Sequence, residues 1–254
     1  MTQNKTELSR REFLGSAALG VAGAGVGVAL ILPQELAAAE TQGYDWDKHR
    51  WVYLIDTTKC IGCGSCVRAC KAENDVPQEF FRTWIERYEI SVDGQTYVDS
   101  PNGGADGFDP VASGMNVGKA FFVPKMCNHC EATPCTQVCP VGASYSTRDG
   151  VVLVDPEHCI GCGYCVQACP YGSRYLNPET HTADKCTWCY HRITQGLLPA
   201  CVQACPNAAR IFGDRKNPDD PINQILATER LHVLQPELLT KPQCFYRGLS
   251  MEVR

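Results

Sequence analysis

Cysteine spacing constrains this chain more than any other feature of its sequence. Seventeen of its 254 residues are cysteines, and all but Cys244 fall into four groups of four. The groups are Cys60, Cys63, Cys66 and Cys70; Cys127, Cys130, Cys135 and Cys139; Cys159, Cys162, Cys165 and Cys169; and Cys186, Cys189, Cys201 and Cys205. A chain of this length can bury enough apolar surface to fold without disulfide support. The cysteines therefore indicate a chemical role.

The first and third groups have the spacing of an iron–sulfur cubane site. Such a cluster takes one thiolate per iron, and a C-x2-C-x2-C loop supplies three of the four. In the bacterial C-x2-C-x2-C-x3-C-P run, the last cysteine ligates the other cluster of a pair. Groups one and three have this full cysteine spacing, and Pro170 follows the third. Glycines between the cysteines, such as Gly62 and Gly161, allow the tight loop that the ligands need.

Structural zinc is the main alternative use for paired C-x2-C motifs. Zinc takes four ligands in two pairs and has no use for a third cysteine at the same spacing, whereas the grouped cysteines match four cubanes with none left over. Disulfides fit less well, because Cys60, Cys63 and Cys66 are too crowded for a sensible pattern of bridges. The sequence therefore predicts four [4Fe–4S] clusters. Cys244 is assigned no role, since a free cysteine packs as a small hydrophobe.

An internal repeat runs through the cysteine groups. Residues 56–70 closely match residues 155–169, and each segment follows a short strand-like run. Such self-similarity indicates duplication of one supersecondary unit. A proline follows the last cysteine of groups two, three and four and should end a short helix there, because proline cannot extend one. Short strands are predicted at residues 52–55, 143–147, 151–154, 171–176 and 208–212, with 148–150 as a hairpin turn.

These elements predict an α+β fold of two interleaved bacterial-ferredoxin-like modules, with short strands and helices and long loop insertions. Residues 79–98 alternate enough to suggest strands around a turn at 92–95, residues 101–107 are a loop, and no helix is predicted after Cys205. The first predicted module covers residues 40–126 and 178–225 and contains groups one and four and an insert. The second covers residues 127–177 and contains groups two and three. Residues 226–254 are predicted to form an extended C-terminal tail.

The N-terminus has the pattern of a twin-arginine export signal. Arg10 and Arg11 precede a weakly apolar run at residues 15–32, and the alanines at 37–39 offer a cleavage site. A membrane anchor is the alternative, because the run is long enough to span a bilayer. Its many glycines and its lack of aromatic anchors favour a cleaved signal covering residues 1–39. Since this system moves folded proteins, clusters would be inserted before export to the periplasmic side.

Charge and hydropathy exclude two further classes. The formal net charge of −5 argues against a nucleic-acid partner, which would require a basic stripe. No segment after residue 39 is long and apolar enough to predict a membrane span. Three histidines beside ligand cysteines, His129, His158 and His191, are predicted to hydrogen-bond or pack, because no ligand is missing. Trp188, between two cysteines of group four, is predicted to shield a cluster from solvent.

Taken together, the chain resembles the four-cluster iron–sulfur subunits of molybdopterin oxidoreductase complexes, including those of tetrathionate, polysulfide and nitrite reductase systems. The resemblance runs from about Tyr53 to Gly248. It is carried by residues 126–140 around group two, by residues 185–206 around group four and by Phe212-Gly-Asp just after it. Lys71 departs from the ferredoxin pattern, which has proline there, and this weakens no ligand assignment.

The resemblance implies that the cysteine groups pair crosswise, giving four ligand sets that we name A to D. Set A is Cys60, Cys63, Cys66 and Cys205; set B is Cys70, Cys186, Cys189 and Cys201; set C is Cys127, Cys130, Cys135 and Cys169; and set D is Cys139, Cys159, Cys162 and Cys165. Each set would hold one [4Fe–4S] cluster as its iron ligands.

The resemblance also implies an electron-transfer subunit with no catalytic residues of its own. It would relay single electrons between a molybdopterin (or tungsten) catalytic subunit and an integral membrane quinone-reactive subunit of an anaerobic-type respiratory complex. A freely diffusing periplasmic polyferredoxin and a catalytic oxidoreductase are the alternatives. The insert and the C-terminal tail favour the subunit, since neither is needed to house clusters. No flavin or nicotinamide loop in the sequence supports a catalyst.

Overall fold

The computed structural model describes residues 43–110 and 113–253, so the predicted export signal lies outside the described part of the chain. The strands are β1 (Trp51–Asp56), β2 (Thr83–Ser91), β3 (Thr96–Asp99), β4 (Val117–Met126), β5 (Ser144–Ser146), β6 (Val152–Val154), β7 (Arg174–Leu176), β8 (Ala183–Lys185), β9 (Arg210–Asp214) and β10 (Cys244–Arg247). The α-helices are α1 (Ser65–Asn74), α2 (Pro134–Gln137), α3 (Tyr164–Gln167), α4 (Tyr190–Ile193), α5 (Ala200–Gln203) and α6 (Pro221–Thr228). Short 3-10 helices cover Trp46–Lys48, Pro101–Gly104 and Pro236–Leu238. This confirms the predicted α+β class.

The central sheet has the strand order β10-β1-β9. Strand β1 runs antiparallel to β9 and parallel to β10, with Tyr53 opposite both Phe212 and Cys244. Both of its faces are covered: Tyr53 belongs to the main core, while Leu54 packs against Ile222 of α6. A strand that is buried on both faces has a continuous apolar run and not an alternating one. Residues 52–55 form such a run.

The insert between the first two cysteine groups folds as a separate antiparallel sheet of order β3-β2-β4. Strand β2 pairs along nearly its whole length with β4, and it turns back into β3 at residues 92–95. Gly94 lies in that turn with φ +82°, a conformation that glycine adopts without steric cost. The strands and the turn predicted at residues 79–98 are therefore confirmed.

Prolines end the short helices as predicted. Helices α2, α3 and α5 are each four residues long and stop before the Cys-Pro pair that follows them. Helix α1 is ten residues long because Lys71 stands where a proline would end it. The Lys71 ammonium instead donates hydrogen bonds to the carbonyls of Pro77, Gln78 and Phe80. Among the residues that the structure describes, no helix is long and apolar enough to cross a membrane.

The C-terminal part of the chain is more ordered than the sequence indicated. Helix α6, which was not predicted, starts at Pro221 after Asp220, whose carboxylate accepts a hydrogen bond from the amide of Ile222. An Asp-Pro pair is a recognised start signal for a helix. Residues 226–254, predicted as an extended tail, begin inside α6 and continue to β10, where Cys244 and Tyr246 are fully buried beside β1.

Candidate metal centres

Set A surrounds a single cavity. Cys60, Cys63 and Cys66 line it from the loop between β1 and the start of α1, and Cys205 lines it from the far end of α5. The two segments meet because β1 pairs with β9, which follows Cys205 closely, and because α1 packs on α5. The structure thus brings together all four predicted ligands of this set from opposite ends of the sequence.

The set A loop requires glycine because another segment of backbone passes close to it. Gly64 has φ +73°, and a Cβ atom there would lie 2.2 Å from the carbonyl oxygen of Ala105. Gly161 in the third group has the same need, since its Cβ would lie 2.4 Å from the carbonyl of His181. The glycines predicted from the motif therefore let neighbouring backbone close over the cysteine loops.

We expect Gly64→Ala to destabilise the protein by more than about 3 kcal/mol and to reduce its iron content. The left-handed conformation alone costs an alanine about 1–2 kcal/mol, and the Ala105 carbonyl cannot move aside without shifting the loop. Gly94→Ala is the matched control, because it has the same sign of φ and nothing within 4 Å of the added Cβ. Denaturant midpoints and iron content of the two variants give the comparison. Equal losses in both would contradict the predicted role of the close approach.

Set B is the most deeply buried. Cys70 lies in α1, Cys186 and Cys189 lie in the loop before α4, and Cys201 lies in α5; each is 6% exposed or less. The side-chain amide of Asn74 is 3.6 Å from the sulfur of Cys70 and 3.7 Å from that of Cys189. Burial raises the pKa of the Cys70 thiol, and the neighbouring sulfurs of Cys201 and Cys189 raise it further.

Set C is assembled in the same manner from group two and the end of group three. Burial raises the pKa of the Cys130 thiol to about 12, and the charges of Cys127, Cys135 and Cys169 contribute to the rise. Sulfurs that raise the pKa of Cys130 in this way lie near it. Because a metal takes the deprotonated thiolate, cluster binding at such a site would release protons.

Set D lies nearest to the surface. Cys162 is exposed, Cys139 and Cys159 are half-buried, and Cys165 is buried. The amide of Ser144 donates to the sulfur of Cys139 at 3.5 Å, and the amide of Ala183 donates to that of Cys159 at 3.4 Å. Burial would raise the pKa of Cys139, but backbone amides outweigh it and lower that pKa. Amides directed at sulfur are typical of cluster sites.

The four sets follow one another in the order A, B, C, D. Cys66 of set A has its pKa raised by burial and by Cys201 of set B. The pKa of Cys186 in set B is raised by burial and also by the charge of Cys127 in set C. Cys135 of set C shares a small apolar cluster with Cys165 of set D. Neighbouring sets thus lie near one another in that order.

None of the seventeen cysteines forms a disulfide. Across residues 43–110 and 113–253, no three His, Cys, Asp or Glu side chains converge closely enough to hold a single metal ion. A cubane has a different requirement, since its four thiolates bind four separate irons.

The histidines near the cysteines pack or hydrogen-bond, as predicted. His129 is fully buried and stacks on Trp188 with 4.0 Å between ring centroids. Its Nδ1 accepts from the amide of Val152, so Nε2 donates to the carbonyl of Cys186. His158 and His191 contact acidic side chains. Trp188 is 1% exposed within the set B loop, which suits a side chain that excludes water.

Three buried basic residues beside the sulfurs were not predicted from the sequence: Arg174, Lys185 and Arg210 are each at most 4% exposed. Burial would lower the pKa of Arg174, yet the charges of Cys135, Cys127 and Cys165 raise it. The signal that could have revealed two of them is positional, because Arg174 and Arg210 stand at the same distance after the last cysteine of groups three and four.

Comparison with known proteins supports the same chemistry. Two matches to models described as 4Fe-4S dicluster domains cover residues 59–143 and 118–215. A tetrathionate reductase subunit of Salmonella typhimurium is 41% identical over 244 residues, which cover 95% of this chain and 89% of that protein. The corresponding tetrathionate reductase subunit of Archaeoglobus fulgidus is 45% identical over 79% of this chain and 83% of its own length. Thiosulfate reductase electron transfer subunit PhsB of Salmonella typhi is 42% identical over 65% and 76% respectively.

Proposed function

We propose, from the premise that this chain belongs to the 4Fe-4S dicluster family of reductase electron-transfer subunits, that it relays single electrons through four [4Fe–4S] clusters held by sets A to D. Its relatives are named as subunits or electron transfer subunits of reductases, and the chain accordingly has a non-catalytic role. When bound, each cluster would supply one-electron redox chemistry. The protein supplies the ligands, the spacing between them and the exclusion of water.

The donor chemistry supports this assignment. Thiolates are the ligands that iron–sulfur clusters take, and the sixteen grouped cysteines divide into four sets of four. Set A lines one cavity, and the members of sets B and C perturb one another's pKa. Arg174 also has two buried N–H-bearing atoms, Nε and Nη1, without a hydrogen-bond partner among the described residues. The sulfurs of the clusters in sets C and D would provide the missing acceptors.

The observation that carries the relay is the order of the sets, with the more buried sets B and C inside and the less buried sets A and D at the ends. Sets B and C have no exposed cysteine, whereas Cys162 of set D is exposed and Cys63 of set A is half-buried. Apolar side chains are exposed beside both ends, with Ile61 at 57% and Ile160 at 64%. Electrons could thus enter at one end, cross a dry interior and leave at the other.

The proposed partners are a molybdopterin (or tungsten) catalytic subunit and an integral membrane quinone-reactive subunit, on the periplasmic side after twin-arginine export. Support comes from the names of the relatives, which are subunits of reductases, and from Arg10 and Arg11 near the N-terminus. A freely diffusing periplasmic polyferredoxin is the alternative, and it would need the same clusters but no stable partner.

Purification of the tagged full-length chain from its native membranes tests this proposal. We expect a stoichiometric complex whose other subunits, identified by mass spectrometry, include a molybdopterin protein and a membrane protein. We also expect about sixteen iron atoms and about sixteen acid-labile sulfides per chain, from four cubanes. A loaded monomer in the soluble periplasmic fraction, with none in the membranes, would favour the polyferredoxin. Substantial zinc with little sulfide would refute the clusters themselves.

A further inference from the structure

Two arginines stand at the same distance after the last cysteine of their groups. Arg174 follows Cys169 at the distance at which Arg210 follows Cys205, and each is the first residue of the strand after its group, β7 or β9. Group two has Ser144 at this position, at the start of β5. One arginine thus follows group three, which contributes to sets C and D, and the other follows group four, which contributes to sets A and B.

Arg174 lies between sets C and D. It is 4% exposed, and Nη2 donates to the hydroxyl of Ser144 at 2.8 Å. Its Nε and Nη1 have no hydrogen-bond partner within the described part of the chain, and no carboxylate there pairs with it. Buried N–H groups of a guanidinium that are left without acceptors are costly. The nearby charges that favour its cationic form are those of Cys135, Cys127 and Cys165.

Arg210 has the equivalent place between sets A and B. It is 2% exposed and lines the set A cavity. Its Nη2 donates to the hydroxyl of Thr83 at 2.8 Å, and Nη1 lies 3.5 Å from the hydroxyl of Tyr53. These partners are neutral, so the negative charges that balance this cation are the sulfurs of Cys66 and Cys201.

A buried positive charge beside a cluster acts on its reduction potential. Reduction adds one negative charge, and a cation in a water-excluded interior stabilises that charge far more than it would in bulk water. Net charge, burial and hydrogen bonds to the sulfurs are the factors that set cluster potentials. Both arginines combine these factors, since each is buried, cationic and placed between two sets.

We propose that Arg210 raises the reduction potentials of the clusters in sets A and B, and that Arg174 raises those of the clusters in sets C and D. They would act on the relay through their charge and ligate no iron. The inference rests on the proposed function, because it requires the four clusters to be present. Lys185 adds a third buried charge near set C, but its ammonium donates hydrogen bonds to the carbonyls of Val152 and Cys186.

The test is a potentiometric titration of the loaded full-length chain, followed by electron paramagnetic resonance. We expect Arg174→Gln to lower the midpoints of two of the four reduction steps and Arg210→Gln to lower the other two. The double variant should lower all four. Arg174→Lys and Arg210→Lys keep the charge and should stay near the wild-type midpoints. Exposed Arg215 provides the matched control, since Arg215→Gln removes the same charge away from the sets and should change nothing.

Unchanged midpoints in a glutamine variant that retains full iron and sulfide would overturn the inference. So would a shift of the same two steps by both variants. If a glutamine variant fails to load, the lysine variants decide, because lowered midpoints in a fully loaded lysine variant would show that charge is not the cause. Fewer than four cubanes in the wild-type protein would instead refute the proposed function, so the two failures are distinguishable.

Discussion

Replacing Cys205 with alanine is expected to damage the cluster that we propose for Cys60, which lies far earlier in the sequence. Each iron of a cubane needs a thiolate, and Cys205 lines the same cavity as Cys60, Cys63 and Cys66. Its loss leaves one iron of that cluster without a protein ligand. We expect the variant to lose between one and about four of its irons and to change one cluster signal in the paramagnetic spectrum of the reduced protein.

Comparison of three single variants separates crosswise pairing from linear grouping. Cys60→Ala and Cys205→Ala should change the same signal, and the double variant should lose no more than the about four irons of one cluster. Cys201→Ala should change a different signal, although Cys201 and Cys205 lie in the same linear group. If each group held its own cluster, Cys201→Ala and Cys205→Ala would instead be equivalent. Cys244→Ala, in β10, should retain all four clusters and serves as the control.

The parts of the fold that could be predicted from sequence are those set by local chemistry. A C-x2-C-x2-C loop has few alternative uses, and a proline after a cysteine ends its helix wherever the chain goes next. The hairpin of β5 and β6 and the long pair of β2 and β4 are likewise local, since turn residues and alternation mark them. The greater length of helix α1 could be predicted in the same way, because Lys71 stands where a proline would end the helix.

The parts that could not be predicted depend on contacts between distant segments. Nothing in the sequence of β10 shows that Cys244 will lie opposite Tyr53 in a parallel pair, because parallel pairing requires no nearby turn. The crosswise sets came from the resemblance and not from spacing, since four groups allow several pairings. Arg174 and Arg210 were missed because a basic residue in a short strand normally indicates a solvent-exposed face.

Removing the clusters is expected to unfold residues 127–209 while the β2–β4 sheet remains. Helices α2, α3, α4 and α5 have four residues each, far below the length at which a helix is stable alone. The sheets in this region are two-stranded, with strands of three residues, and such pairs are marginal in water. Ligand binding must therefore supply much of the folding free energy of this region, as it does for small metal-dependent domains.

Amide hydrogen exchange before and after anaerobic removal of iron measures this effect. We expect the opening free energy of amides in residues 127–209 to fall by about 5 kcal/mol or more, a typical stability of a whole domain. Amides of β2 and β4 are the internal control, because their nine- and ten-residue strands pair with each other and bind no cluster. Their protection should change little, and reconstitution with iron and sulfide should restore that of residues 127–209. Retained protection in residues 127–209 of the iron-free protein would mean that the polypeptide alone holds the cysteine sets in place, and the clusters would then occupy a preformed scaffold.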